Sequence, residues 1–154
     1  MRRSDKEIKD DGVIQDILKN SEICRIAMID GADPYIVPLN YAYSNNSFYI
    51  HSAPEGRKIE VLKRNNRVCF EIEYSSEVIV TGPPCKGSVK YRSVIGYGKI
   101  NIATDSVTKR LGLDLLKAKY GGTDGEYEKD SFEKIVMLVL SIDKVSGKQS
   151  GNWD

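Results

Sequence analysis

Histidine is almost missing from this chain: 154 residues contain one, His51. Cysteine is sparse and odd in number, at Cys24, Cys69 and Cys85, with no Cys-x-x-Cys pair. One imidazole and three scattered thiols do not complete a zinc cage of the usual kinds, which argues against metal catalysis. Excess charge of one sign is missing too. Lysine and arginine number 23 against 22 aspartates and glutamates, a net charge of +1. That balance gives no markedly basic face of the kind nucleic-acid binding uses. No apolar run approaches the roughly 20 residues of a membrane span. The opening "MRRSDKEIKDDG" has basic residues with no apolar stretch behind them. It does not read as a secretory signal, and a cytoplasmic location is the expectation. No internal repeat and no Ser/Gly linker divides the chain, so a single domain over residues 1–154 is expected.

What is present is ordinary globular material, 40% hydrophobic and 29% charged. A chain of this length buries roughly two-thirds of its unfolded surface, enough for a core without staples. Ser4 to Asn20 reads as a helix, opened by a Ser4/Glu7 capping box and carrying Ile8, Val13, Ile14, Ile17 and Leu18 on one face. Strands follow over Ile23 to Ile29, Tyr35 to Tyr43 and Phe48 to His51, with turn signals at Asp30-Gly31 and Asn45-Asn46; these three read as an antiparallel meander. A short helix runs from Gly56 to Arg64, then a strand from Arg67 to Tyr74, and "EVIVTGPPCKGSV" reads as a strand and a loop. Tyr91 to Ala103 alternates as a half-buried strand, with a bend or bulge suggested by Gly96 and Gly98. Thr104 to Tyr120 is a second helix with Leu111, Leu115 and Leu116 inward, "GGTDGEYEKD" a surface loop, and "KIVMLVLSIDKVSGKQ" the last strand. Cys24 and Cys69 lie in apolar runs and read as buried, reduced thiols, whereas Cys85 in "TGPPCKGS" reads as a loop residue. The order of elements suggests a mainly β fold with helices (α+β), a small barrel with helices at its ends.

The chemistry concentrates where the third strand hands over to its helix, in "FYIHSAPEGRKIEVLKRN". A helix start exposes several backbone N–H groups, and its dipole adds positive potential there. A phosphate is stabilised at such a point, and Gly56 allows close approach. Lys58 supplies a mobile cation, Arg57 a planar fork, Ser52 a hydroxyl, and His51 stands at the strand end. A second reading stands beside this one: Ser52-x-x-Glu55 is also a capping-box pattern, and Lys58 and Arg57 then are solvated helix residues. "PYIVPLNYAY" places Pro34 and Pro38 in one strand, which marks an unpaired edge or a bulge. Free backbone groups of Val37, Leu39 or Asn40 would then face either solvent or a flat polar ligand. Tyr91, Arg92 and Ser93 at a strand start are either surface or a cover for a ring and a phosphate. Trp153 reads as a loose tail residue or a clamp on a partner subunit.

In this setting the chain resembles the Nim proteins, the 5-nitroimidazole resistance family, within the pyridoxamine 5′-phosphate oxidase-like FMN-binding split barrels. The resemblance rests on "MRRSDKEI", "CRIAMIDGADPYIVPLNYAY", "HSAPEGRKIEVLKRNNRVCFEIE" and "YRSVIGYGKI", in order over most of residues 1–103. It implies a six-stranded antiparallel split β-barrel that dimerises, with FMN as cofactor in the groove between subunits. Carried onto this chain, Val37, Pro38, Leu39, Asn40 and Tyr41 lie beside the isoalloxazine, and His51 and Ser52 follow on its side of the barrel. Lys58, helped by Arg57, holds the phosphate, and Tyr91, Arg92 and Ser93 contribute across the dimer interface. The implied chemistry is a nitroreductase-type oxidoreductase acting on nitro-aromatic or other small organic molecules, with His51 positioning or protonating the substrate. Pyridoxamine phosphate oxidases proper use an Arg and a His near the C-terminus. Here that region reads "SGKQSGNWD", so vitamin B6 oxidation is disfavoured. A non-catalytic flavin- or haem-binding or redox-sensing module, with His51 as a haem ligand, is the alternative.

Overall fold

The computed structural model describes residues 3–79, 83, 87–122 and 125–153; Cys85 and its expected loop position lie outside them. The first helix is shorter than its apolar pattern. After a 3-10 turn at Ser4–Lys6, Glu7–Ile8 forms strand β1, and helix α1 spans Asp11–Asn20. The cap is Asp10, whose carboxylate accepts from the Gly12 N–H at 2.8 Å, and not the expected Ser4/Glu7 box. Pairing explains the shift: Glu7 and Ile8 are drawn into a ladder opposite Lys148 and Gly147, which buries Ile8.

Strands β2 (Ile23–Asp30) and β3 (Asp33–Asn40) form a hairpin turned at Gly31. The expected single strand from Tyr35 to Tyr43 breaks at Tyr41, and Ala42–Ser44 becomes a separate strand, β4. Tyr41 leaves the strand because its ring enters the core. It is fully buried, its hydroxyl donates to the Leu18 carbonyl at 2.8 Å, and its ring centroid is 4.5 Å from that of Phe48. β4 turns at Asn45 and Asn46, both with positive φ, into β5 (Ser47–Ser52). The left-handed pair suits asparagine and makes a tight hairpin.

The expected meander is therefore divided. Helix α2 (Arg57–Arg64) and strands β6 (Arg67–Ile79), β7 (Ser88–Ala103) and β8 (Val136–Ser150) complete a sheet of order β3-β2-β6-β7-β8-β5-β4, with β1 on β8. Every pairing is antiparallel. The described residues thus form eight strands and not six, and the sheet is open: β3 ends one side of the order and β4 the other. The mainly antiparallel architecture with a few helices is consistent with a split barrel. β3 is an edge strand, as Pro34 and Pro38 require. The bulge expected near Gly96 and Gly98 lies between Tyr97 and Gly98 of β7. A Cβ on Gly98 would meet the Ser141 carbonyl oxygen at 2.2 Å, so glycine is needed there for close approach.

Inward side chains of the strands build one core around Ile26, Phe48, Phe70, Ile72 and Leu138, joined by Ile17 and Leu18 of α1 and Ile59 and Leu62 of α2. Helix α3 (Ser106–Tyr120) is capped by Asp105, which accepts from the Thr108 N–H at 2.8 Å. It seats Gly112 and Leu116 on Met137, so Leu111, expected inward, is 47% exposed. A Cβ on Gly112 would lie 2.5 Å from Met137, which shows how close that face sits. A short helix α4 (Lys129–Glu133) occupies part of the expected loop. Among the described residues no helix is long and apolar enough to cross a membrane.

Candidate functional site

Although β3 and β5 lie near opposite ends of the strand order, both line one cleft of about 500 Å³. The sheet curls until its two sides face each other without closing the hydrogen-bond ladder. One wall of the cleft is β3, through Tyr35, Val37, Pro38 and Leu39; the other is the end of β5 and the start of α2, through His51, Ser52, Gly56, Arg57 and Lys58. The site residues read from the junction are thus brought together with the strand expected to lie beside a flat ligand. His51 is exposed, and its neighbour Ser52, pointing to the opposite face of β5, is buried.

The start of α2 is open. Its cap is Gly56, at φ 103° and ψ 169°, which has no side chain to bond the first-turn N–H groups, and among the described residues no side-chain cap hydrogen bond forms there. The Ser52/Glu55 capping box does not form, because the helix begins at Arg57, too far along the chain for Ser52 to reach. The two cations beside this opening differ. Arg57 is already engaged: its Nε donates to Asp30 Oδ2 at 2.8 Å, and its guanidinium lies 4.4 Å over the Tyr35 ring. Asp30 also accepts from Arg64. Lys58 is half-buried, and burial lowers its pKa from the ordinary lysine value. Among the described residues no carboxylate forms an ion pair with it. A desolvated ammonium without a counter-ion favours an anionic ligand.

His51 also borders a second cavity of about 470 Å³, shared with Asn40 and walled by Leu113 and Leu116 of α3, with Lys117, Tyr120 and Tyr127. The candidate Asn40 is therefore next door to the main cleft. Tyr41 drops out as a side-chain ligand, since its ring is in the core. Its backbone is used as well: its N–H donates to the Tyr120 hydroxyl at 3.1 Å and its carbonyl lies 3.0 Å from the same oxygen. Tyr91, Arg92 and Ser93 do not line the cleft of their own chain. Arg92 donates to Gln149 Oε1 at 3.0 Å and lies 4.3 Å over the Trp153 ring, with Lys90 at 4.6 Å. Trp153, expected as loose tail or partner clamp, is packed on its own chain, and its Nε1 donates to the Ser150 carbonyl at 3.0 Å. Sequence reasoning missed Tyr35, Asp30 and the α3 wall. Tyr35 was accessible through its parity with Val37 and Leu39; the Asp30–Arg57 pair, separated by 27 positions, left no local signal.

The outer face of the sheet adds one more feature. Register sets Ile36, Ala27, Cys69 and Tyr97 side by side across β3, β2, β6 and β7. Ile36 is 59% exposed, Tyr97 48%, and nearby Ile29 and Ile95 59% and 46%. The adjoining row carries an Arg25–Glu71 ion pair of 3.1 Å. A contiguous apolar face of this kind is characteristic of an interaction surface.

An antiparallel, curled sheet whose split holds an anion-ready strand–helix junction defines the class. The sequence matches the pyridoxamine 5′-phosphate oxidase family over residues 10–149, and the chain belongs to that family. Among solved structures it is similar to a candidate 5-nitroimidazole antibiotic resistance protein from Bacteroides thetaiotaomicron, with 30% identity, TM-score 0.82, and 92% of this chain and 85% of that one covered. The fold also matches an FAD and haem binding protein from Mycobacterium smegmatis, with TM-score 0.85 at 18% identity over 96% of this chain and 75% of that one. An uncharacterized protein of Rhizobium meliloti is 36% identical over 74 residues, 44% of this chain and 48% of the relative. The chain thus spans about half the length of the curated relative it matches.

Proposed function

We propose that this protein is an FMN-dependent oxidoreductase of nitroreductase type, acting as a homodimer on 5-nitroimidazole-like or other small organic molecules. The observation that carries the reading is Lys58, a half-buried cation with no carboxylate partner among the described residues, beside an uncapped helix start. These residues fit the phosphate of FMN. Lys58 and the first-turn N–H groups of α2 bind the phosphate oxygens. Arg57, held at Nε by Asp30, offers its terminal nitrogens. The open edge of β3 offers backbone groups to the ring, with Pro38 as an apolar contact. When bound, FMN supplies reversible two-electron redox chemistry. The apolar wall of Leu113 and Leu116 excludes water, and the His51 imidazole, at the boundary of both cavities, orients the substrate and exchanges a proton with it through a ring nitrogen. A second copy covers the apolar outer face and brings its own Tyr91, Arg92 and Ser93 toward the flavin. The resistance-protein relative and the flavin-binding relative support this reading at the level of the family.

The test is direct. Purified protein titrated with FMN is expected to shift the flavin absorbance bands and quench flavin fluorescence at micromolar concentration; free-flavin spectra throughout would defeat the proposal. With chemically reduced flavin under anaerobic conditions, loss of the nitro absorbance of a 5-nitroimidazole is the expected second result. A Soret band on haem addition together with inert bound flavin would instead favour the non-catalytic module.

A further inference from the structure

Away from the flavin cleft, a cavity of about 570 Å³ opens between α1, β4 and α3, and Lys119 lines it. Its Nζ lies 3.8 Å from the Tyr41 ring centroid and 5.4 Å from that of Tyr120. The amine donates to the Ser21 carbonyl. Among the described residues it forms no ion pair with a carboxylate. Burial brings Lys119 down to about 8, although Cys24 and Glu22 pull the other way. The neutral groups around it stay neutral: burial raises the Cys24 thiol to about 12 and pushes the Tyr41 phenol up as well. Glu22 stands at the rim with a second cation, Lys19, and the uncharged Asn20 and Tyr43. The ring and carbonyl contacts hold the amine in place at the cavity wall, and its desolvation is what favours the neutral form that attacks carbonyl carbon.

We propose that this cavity is a covalent binding site for small carbonyl compounds bearing a carboxylate, with Lys119 as the attacking amine and Lys19 as the partner of the carboxylate. The step balances without a redox partner. The Nζ lone pair forms a C–N bond to the carbonyl carbon as the C=O π bond opens. A proton moves from nitrogen to oxygen, and loss of water leaves the imine. The proposal does not depend on flavin binding, since Lys119 and Lys19 line neither the cleft beside Lys58 nor the cavity beside His51.

The experiment is reductive alkylation of the full chain at pH 8 with glyoxylate and cyanoborohydride, with peptide mass spectrometry to locate each adduct over time. At this pH an amine of pKa about 8 is half neutral, whereas an ordinary lysine near 10.4 is roughly 0.4% neutral. Part of that advantage is lost to weaker basicity, so Lys119 is expected to react about tenfold faster than the exposed Lys63 and Lys99. Propionaldehyde, which lacks the carboxylate, is expected to show a smaller preference for Lys119, and Lys19→Gln is expected to reduce the glyoxylate preference alone. Labelling of Lys119 no faster than of Lys63 and Lys99 would overturn the site. Equal preference with both aldehydes would overturn the assignment of an anionic ligand.

Discussion

Lys58 and Arg57 are adjacent in the chain and carry the same charge, yet the structure assigns them unequal weight toward an anion. Arg57 is 58% exposed at the side chain and spends its Nε on Asp30. Lys58 is half-buried and has no such carboxylate partner among the described residues. A hydrogen bond to a charged group contributes about 1.5–3 kcal/mol. With Lys58 still partly solvated, about 1.5–2.5 kcal/mol is reasonable, which raises Kd for FMN roughly 10- to 70-fold in Lys58→Ala. An exposed ion pair contributes about 0–1 kcal/mol, so Arg57→Ala should weaken FMN by no more than about fivefold. The assay is fluorescence titration of each variant with FMN and with riboflavin, which lacks the phosphate. Riboflavin affinity should change little in Lys58→Ala, because the lost interaction is with phosphate alone. A larger loss in Arg57→Ala than in Lys58→Ala, or equal losses for FMN and riboflavin, would refute the placement of the phosphate beside Lys58.

Tyr41→Phe removes the donor to the Leu18 carbonyl and leaves a buried acceptor unpaired, a loss of about 1–3 kcal/mol in urea unfolding; flavin affinity should be unchanged. Gly56→Ala places an L-residue at φ 103°, where among the described residues nothing beyond its chain neighbours lies within 4 Å of the new Cβ, so backbone strain is what acts. About 1–2 kcal/mol of stability should be lost in thermal melts, and FMN should bind more weakly as the junction relaxes. Lys119 has a folded pKa of about 8 against 10.5, so its ammonium is less favourable in the folded chain than in the unfolded one. That penalty is complete below pH 8 and fades as pH rises toward 10.5. The stability gap between Lys119→Met and the parent chain, followed by urea unfolding, should therefore narrow over this window; a gap independent of pH would show that the amine is not desolvated.

Local patterns made much of this molecule legible. Alternation marked β7, apolar runs ended by turn signals marked β2 and β5, the glycines of β7 marked its bulge, paired prolines marked β3 as an edge or bulge, and Asn45-Asn46 marked a turn, because each is set by neighbours within a few residues. The same locality located His51, Gly56, Arg57 and Lys58 at a strand–helix junction. It failed where distant partners decide. Ile8 belongs to a strand because Gly147 is free to accept it, and the helix start moves to Asp10 in consequence. Tyr41 interrupts a strand because Leu18 and Phe48 offer its ring a buried, hydrogen-bonded place. The sequence by itself determined most of the elements and the chemical character of the junction. Only the tertiary structure decided that β3 would face that junction across the split, that Asp30 would occupy Arg57, and that Lys58 would have no carboxylate partner among the described residues. Propensity and periodicity act over a few residues, whereas desolvation and charge pairing depend on what the folded chain brings alongside.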